Sequence, residues 1–146
     1  MYTCIKPFVI VFTVALLLNL VWENTHSYLY EHYQGDIITE FILIKAALFD
    51  ALVITIAAVL YVHVLRVRNR LAIAIGGLVI FAIGLELFAL ATSRWRYLPH
   101  MPIFPCLGVG ITPVVQLALL AYTSFRVSGL LAKNDMHYTK NSDCTI

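Results

Sequence analysis

The sequence predicts an all-α, polytopic membrane protein, with four transmembrane helices in an up-down bundle and both termini in the cytoplasm. Of its 146 residues, 61% are hydrophobic and only 12% are charged, whereas soluble domains carry about 25% charged residues. The mean hydropathy is +0.86. Helices are favoured over a barrel because lipid-embedded backbone groups must be paired within their own segment, and the alternating pattern of membrane strands does not occur.

Four segments contain the roughly 20 mostly apolar residues that a bilayer crossing needs. The predicted helices cover residues 5–22, 37–65, 71–93 and 108–131. They form a transmembrane domain over residues 1–132, and a polar tail at 133–146 is predicted to be disordered. The first apolar run is predicted to be retained, because Trp22 and Glu23 stand where a signal peptide would carry a small-residue cleavage site.

Basic residues near the helix ends predict the orientation. They gather at the ends that would face the cytoplasm, and they are Lys6, Arg66, Arg68, Arg70, Arg126, Lys133 and Lys140. The positive-inside rule then places both termini in the cytoplasm, with Arg94 and Arg96 as the exceptions. Aromatic residues are expected to form a belt at the outer boundary. These are Tyr28, Tyr30, Tyr33, Trp95 and Tyr97.

Three ionisable residues, Lys45, Asp50 and Glu86, lie inside the predicted membrane helices. A charge at the centre of such a helix costs about 2.5 to 3.5 kcal/mol on insertion scales, so these residues are the first candidates for a functional site. Asp50 and Glu86 are the candidate catalytic residues, because a carboxyl group can donate and accept a proton. The alternative for all three is a structural role, as polar contacts between membrane helices.

Depth along the helices predicts how these three residues are arranged. With a rise of 1.5 Å per residue, Lys45 and Glu86 lie roughly 12 to 13 Å from the outer helix ends, and Asp50 lies about 7 Å deeper. The second and third helices, joined by a short connection, are expected to pack together. An ion pair between Lys45 and Glu86 would then lower both desolvation costs. Asp50 is expected at a tight helix interface, protonated or hydrogen-bonded to a group such as Asn19.

The outer segment from Arg94 to Gln116 is rich in proline and glycine and reads RWRYLPHMPIFPCLGVGITPVVQ. Its prolines forbid a regular helix, and Thr112 followed by Pro113 fits the N-cap and first position of the last helix. Irregular backbone at membrane depth is tolerated only where protein buries it or where it lines a wet cavity. The segment is therefore either the lid of a pocket, with Gln116 facing the same space as Glu86, or a rigid connection.

Candidate ligand-binding residues surround the buried carboxyl groups. Lys45 and Arg94 are suited to hold an anionic group, and Asn19 lies one helical turn before Glu23. Glu23 and His26 are suited to bind a metal or pass a proton, but no ligand set with closed spacing exists, so no metal is predicted. The sequence does not identify a cofactor. The predicted ligand-binding residues are Lys45, Arg94, Gln116, Glu23, Asn19, Trp95 and Tyr97.

A long pattern of residues resembles a family of small four-helix bacterial membrane proteins. The resemblance covers most of the chain and rests on Trp22-Glu23, Leu29-Tyr30, Asp50, Glu86 and the run Arg94-Trp95-x-Tyr97-x-x-x-Met101-Pro102-x-x-Pro105-x-x-Gly108-x-Gly110-Ile111-Thr112-Pro113-x-x-Gln116. In that family a His-Cys pair often precedes the aspartate of the second helix, whereas residues 45–50 read KAALFD here. That departure weakens a metal site further. The resemblance supports the choice of site residues and implies no particular substrate.

Three classes of function fit these residues. The preferred one is an integral membrane protein with a buried polar site in the outer half of the bundle, which binds or chemically acts on a small lipid-like or amphipathic molecule. The runner-up is an accessory or assembly subunit of a larger membrane complex, and the third is a small proton-coupled carrier. A pocket lined by Asp50, Glu86, Arg94 and Gln116 would favour ligand chemistry, and a passage reaching both faces would favour transport.

The predicted partners are membrane lipid and either a second copy of the chain or other membrane subunits. Nucleic acid is not expected, because the net charge is only +2 and the basic residues are scattered at helix ends instead of forming one patch.

Overall fold

A computed structural model describes residues 2–63 and 70–131, and within them the protein is mostly helical. The four helices are α1 (Tyr2–His26), α2 (Glu40–His63), α3 (Arg70–Ala91) and α4 (Ile111–Val127). Three of them are long and apolar enough to cross a membrane, and α4 is shorter, with 17 residues. The prediction of apolar helices of membrane-spanning length is confirmed for these three. The predicted tail, and the predicted basic cluster at Arg66 and Arg68, lie outside the described residues.

Helix α1 continues beyond its predicted end at residue 22 because polar side chains bond to the preceding turn. The Asn24 amide donates to the Leu20 carbonyl at 2.9 Å, and the Thr25 hydroxyl donates to the Val21 carbonyl at 2.9 Å. The helix therefore reaches His26, and a 3₁₀ turn at Ser27–Leu29 follows it. This extension carries Glu23 on the same helix as the apolar run before it.

A two-stranded antiparallel sheet joins the connection after α1 to the connection after α3. Strand β1 (Tyr30–Tyr33) pairs with β2 (Trp95–Tyr97), and Tyr30 stands opposite Tyr97 while Tyr33 stands opposite Trp95. The Tyr30 ring lies 6.1 Å from the Trp95 ring and 5.6 Å from the Tyr97 ring, measured between centroids. These residues were expected in an aromatic belt, and here they hold two distant connections together. We call this pair of strands the end sheet.

The helices pack unequally around the core. Helix α1 packs extensively against α2, both α1 and α3 pack against α4, and the α2–α3 contact is smaller than any of these. Helices α2 and α3 do contact each other, as predicted, but over a smaller interface than these three pairs. Their facing side chains include Ala57, Ala74 and Gly77, which line a space between the helices and are too small to fill it.

The buried face of α1 repeats every fourth residue. Val11, Ala15 and Asn19 are fully buried, and Glu23 is the next residue at this spacing. Residues four apart lie on one face of a helix. The same stripe that packs in the core therefore delivers two polar side chains, Asn19 and Glu23, toward the end sheet.

Helix α4 begins at Ile111, between the two starts that the sequence predicted, residue 108 from the apolar run and Pro113 from the Thr112 cap. Gly110 is its N-cap, in extended conformation, and Ile111 is the first helical residue. The Ile111 N–H donates to the Pro102 carbonyl at 2.8 Å, and the Gly110 N–H donates to the Tyr97 hydroxyl at 3.0 Å. These partners replace the side-chain cap expected from Thr112, and Pro113 is tolerated because it lies in the first turn.

Replacing Gly110 with alanine should destabilise the protein. A Cβ atom there would lie 3.0 Å from Pro113 Cδ and 3.2 Å from Met101 Cε, and such overpacking costs about 1 to 3 kcal/mol. Gly84→Ala in α3 is the control, since a Cβ there meets nothing within 4 Å and alanine favours a helix by roughly 0.5 to 1 kcal/mol. Thermal unfolding in detergent should move in opposite directions for the two variants, and a stabilised Gly110→Ala protein would contradict this packing.

Candidate functional site

A cavity of about 630 Å³ lies beneath the end sheet and is lined by residues of all four helices and both strands. Its polar walls carry three acidic side chains, Glu23, Asp50 and Glu86. The exposed residues Lys45 and Arg94 also line it, so the cavity reaches the protein surface. Pockets that bind small molecules are mostly apolar, with a few converging polar groups, and have volumes of about 300 to 1,000 Å³. This cavity has that size and that composition.

Gln116 is the centre of the polar wall. Its Nε2 atom lies 3.0 Å from Asn19 Oδ1, 2.7 Å from Glu23 Oε1 and 3.1 Å from Asp50 Oδ2. Gln116 is only 5% exposed and Asn19 is fully buried. An amide nitrogen has two hydrogens, so three acceptors compete for two donated bonds. Acceptor capacity on the two carboxyl groups therefore remains for another donor in the cavity.

Asn19 is fixed so that its oxygen faces this cluster. Its Nδ2 atom donates to the Ala15 carbonyl at 2.8 Å, one turn earlier in α1. The expected contact between Asp50 and Asn19 is therefore indirect, because the Gln116 amide stands between their oxygen atoms and donates to both.

Glu86 belongs to a second cluster, on the end-sheet side of the cavity. The Tyr97 hydroxyl and the Trp95 indole N–H both donate to Glu86 Oε2, the latter at 3.3 Å. Glu86 is 4% exposed. Tyr97 in turn accepts the Gly110 N–H, so one hydroxyl links the end sheet, α3 and the start of α4. The prediction of a Lys45–Glu86 ion pair is wrong, because neutral donors from the end sheet hold the Glu86 carboxyl group.

The two basic residues of the cavity stand at its exposed edge. Lys45 Nζ lies 4.3 Å from the centroid of the Phe41 ring, and the Arg94 guanidinium carbon lies 5.2 Å from that of Phe88. Within residues 2–63 and 70–131 the sole ion pair joins Arg96 to Glu31 at 3.7 Å, on the surface. The carboxyl groups of the cavity therefore have no protein cation within salt-bridge distance in this part of the chain.

Two tyrosines of the end sheet lie beside the cavity, Tyr30 in its lining and Tyr97 behind that lining. Burial, followed by the hydrogen bond to Glu86, raises the pKa of Tyr97 above its usual range. Burial, followed by the acidic Glu86, likewise raises the pKa of Tyr30 well above its usual range. Both hydroxyl groups therefore keep their protons at physiological pH and add no charge to the cavity, and that of Tyr97 donates to Glu86.

Most of the sequence-predicted site residues lie around this one cavity. Seven of them line it directly, and they are Glu23, Lys45, Asp50, Glu86, Arg94, Trp95 and Gln116. Asn19 and Tyr97 stand behind that lining, bonded to Gln116 and Glu86. Tyr30 and His32 of β1 also line the cavity and were not predicted as site residues. Only the strand pairing, which is not local in sequence, brings them there.

The predicted pairing of Glu23 with His26 does not occur in the cavity. His26 stacks on Trp22, with 4.8 Å between ring centroids, and does not line the cavity, whereas Glu23 does. In the described part of the chain, no group of three or more His, Cys, Asp or Glu side chains is placed to hold a metal ion.

Removing the Tyr97 hydroxyl should destabilise the protein by about 1 to 3 kcal/mol, because Glu86 and the Gly110 N–H each lose a partner. Tyr97→Phe keeps the ring and removes only the oxygen. Tyr28→Phe is the matched control, since Tyr28 is 70% exposed. Unfolding followed by circular dichroism in detergent should separate the two variants, and equal stabilities would contradict the linking role of Tyr97.

Comparison of the chain with protein-family models, with curated proteins and with solved structures finds no match. Membership of the bacterial membrane family that the sequence resembles therefore stays a prediction. The chemistry of the cavity is what supports a function.

Proposed function

We propose that this protein is an integral membrane protein that binds a small amphipathic molecule with a positively charged, hydrogen-bond-donating head group. The observation that carries the proposal is the presence of Glu23, Asp50 and Glu86 around one cavity, with no protein cation within salt-bridge distance among residues 2–63 and 70–131. An ammonium group supplies both of the properties that these acceptors lack, a positive charge and several N–H donors.

Electrostatics favours a cation over an anion in this cavity. Carboxyl groups close together and away from water repel one another when ionised, and an opposite charge between them lowers the cost of keeping them buried. Lys45 and Arg94 lie at the exposed edge, over the rings of Phe41 and Phe88. An anionic head group would have to lie beside the three carboxyl groups, and their negative charges would repel it.

The apolar part of the proposed ligand follows from the surroundings of the cavity. Three helices have the length and composition of membrane spans, and apolar side chains of α2 and α3, including Leu43, Phe49 and Leu85, line the cavity beside the acidic groups. A molecule reaching the cavity from the bilayer would carry an apolar portion, as lipids and single-chain amphiphiles do.

We further propose an up-down arrangement in which α4 also crosses the membrane and both termini face the cytoplasm. The pairing of β1 with β2 supports it, because this pairing brings the connections after α1 and α3 together. Seventeen residues lie at the short end of the range that spans a bilayer. The end sheet and the cavity then lie in the outer half of the bilayer, as the positive-inside rule predicts. The resemblance to bacterial membrane proteins favours a bacterial cytoplasmic membrane.

The resemblance to small bacterial membrane proteins is consistent with this proposal. The residues that carry the resemblance include those of both hydrogen-bonded clusters, namely Glu23, Asp50, Glu86, Trp95, Tyr97, Gly110 and Gln116. We propose that members of that family share this cavity.

Native mass spectrometry with dodecylamine tests the proposal. Increasing amounts of the amine are added to the protein in a non-ionic detergent, and the complexes are observed after the detergent is removed in the mass spectrometer. We expect saturable binding of one amine molecule per chain, and weaker binding when Asp50→Asn and Glu86→Gln are combined. Binding that does not saturate, or that is the same in wild type and the double variant, would overturn the proposal. If the double variant instead failed to assemble, the two carboxyl groups would be structural contacts between helices, which would count against the proposal.

A further inference from the structure

A second space lies between α2 and α3, apart from the acidic cavity. It has a volume of about 430 Å³ and is lined entirely by apolar residues and a glycine. On α2 these include Val53, Ala57 and Leu60, and on α3 they include Ala74 and Gly77. We call this space the α2–α3 groove. Helices α2 and α3 leave this space because their interface is smaller than the α1–α2, α1–α4 and α3–α4 interfaces and because several of the residues that face each other there are small.

The groove continues the same helix faces that line the acidic cavity. On α3, Glu86 and Ala82 line the cavity, while Leu78 and Ala74 line the groove. These four residues recur every four positions and so lie on one face of the helix. On α2, Asp50 lines the cavity and residues between 53 and 60 line the groove. The groove therefore extends about 10 Å along α2.

Two stacked phenylalanine rings connect the lining of one space to the lining of the other. Phe49 lines the cavity and Phe81 lines the groove, and their ring centroids are 6.3 Å apart with the planes inclined by 28°. A chain leaving the cavity along the α2–α3 seam would pass these two rings. The seam is therefore acidic at one end, aromatic at the junction and apolar beyond it.

We infer that the α2–α3 groove holds the alkyl chain of the same amphiphile whose cationic head group occupies the acidic cavity. The inference rests on the proposed function and adds the ligand's shape, a single unbranched chain directed away from the end sheet. The order of the linings matches the order of head and tail in such a molecule. A chain in the groove exchanges contacts with lipid or detergent for contacts with packed protein atoms, so filling the groove should weaken the binding of a long-chain amine more than that of a short-chain one.

Gly77 offers a substitution that fills the groove without touching the cavity. A Cβ atom at Gly77 meets nothing within 4 Å, and Gly77 lines the groove. Gly77→Leu would therefore place a side chain in the space that the alkyl chain would occupy. Gly76→Leu is the matched control, because a Cβ at Gly76 also meets nothing within 4 Å and Gly76 lines neither space.

The experiment compares dodecylamine with hexylamine on wild type, Gly77→Leu and Gly76→Leu by native mass spectrometry. Partition of each amine into the detergent is the same for every variant, so it cancels in the ratio between variants. We expect Gly77→Leu to weaken dodecylamine binding by about tenfold or more and hexylamine binding by less than about twofold. Gly76→Leu should change neither value.

An independent readout on the wild-type protein uses dodecylamine with a diazirine at its chain end. After illumination, labelled peptides should come from residues 53–60 or 73–81. Labelling elsewhere, or an unchanged ratio of dodecylamine to hexylamine affinity in Gly77→Leu, would overturn the tail assignment while leaving the head-group proposal in place. Failure of wild type to bind either amine would overturn both.

Discussion

Gln116→Leu should lower the free energy of unfolding by about 3 kcal/mol, the largest single loss of stability that we expect in this molecule. The substitution keeps the volume of the side chain and removes its amide. Asn19, Glu23 and Asp50 then lose the donor that they share. Leaving buried acceptors without a partner costs about 1 to 3 kcal/mol for each neutral group and more for a charged one, and the cost is only partly offset where water reaches the cavity.

Ser124→Ala in the same helix is the control for this variant. Ser124 is fully buried like Gln116, but its hydroxyl donates only to the Leu120 carbonyl of its own helix, at 2.7 Å. Its loss should cost no more than about 1 kcal/mol. Unfolding measured with increasing amounts of a denaturing detergent should show that the Gln116→Leu protein is much less stable than the Ser124→Ala protein. Equal losses would show that the amide does not hold α1, α2 and α4 together through its three acceptors.

Asp50→Asn should weaken dodecylamine binding by about 10- to 100-fold, because a hydrogen bond to a charged group contributes about 1.5 to 3 kcal/mol. The variant keeps an oxygen that accepts from Gln116, so the cluster that holds the helices together should survive. Stability should therefore change much less than affinity. Native mass spectrometry and unfolding of the same preparation measure the two effects separately.

Asp36→Asn supplies the matched substitution at an exposed position outside the cavity. We expect it to leave both affinity and stability unchanged. If Asp50→Asn weakened assembly and spared the amine, the carboxyl group would be a structural contact between helices and not part of a binding site.

The helices and the site residues could be predicted because each rests on a local energetic cost. Backbone groups in lipid must be paired, so long apolar runs become helices, and three of the predicted spans are present at that length. Carboxyl groups at membrane depth are expensive, and this cost alone singled out Asp50 and Glu86. Both line the cavity.

The partners of those carboxyl groups could not be predicted, because they come from contacts between distant parts of the chain. The nearest opposite charge to Glu86 by helix depth was Lys45, yet Tyr97 and Trp95 bond to Glu86 after the end sheet forms. Four- and three-residue strands are too short to give a pattern in sequence, and their register contains an irregularity near His32. The end sheet therefore has no local signal.

The start of α4 shows the same limit. A threonine followed by proline is a good local signal for a helix start, and it placed the N-cap at Thr112. The observed start at Ile111 depends on the Pro102 carbonyl and the Tyr97 hydroxyl, which satisfy the first N–H groups from outside the helix. Tertiary partners of this kind cannot be deduced from the residues next to the cap.

The charge preference of the cavity tests the central claim most directly. Dodecylamine and dodecanoate share one alkyl chain and differ in the sign of the head group, so competition between them on the wild-type protein isolates the contribution of the three carboxyl groups. We predict that the amine binds about tenfold more tightly or better, as one charge-assisted hydrogen bond would give. Equal binding, or tighter binding of dodecanoate, would mean that Lys45 and Arg94 determine the ligand and would contradict a cationic head group.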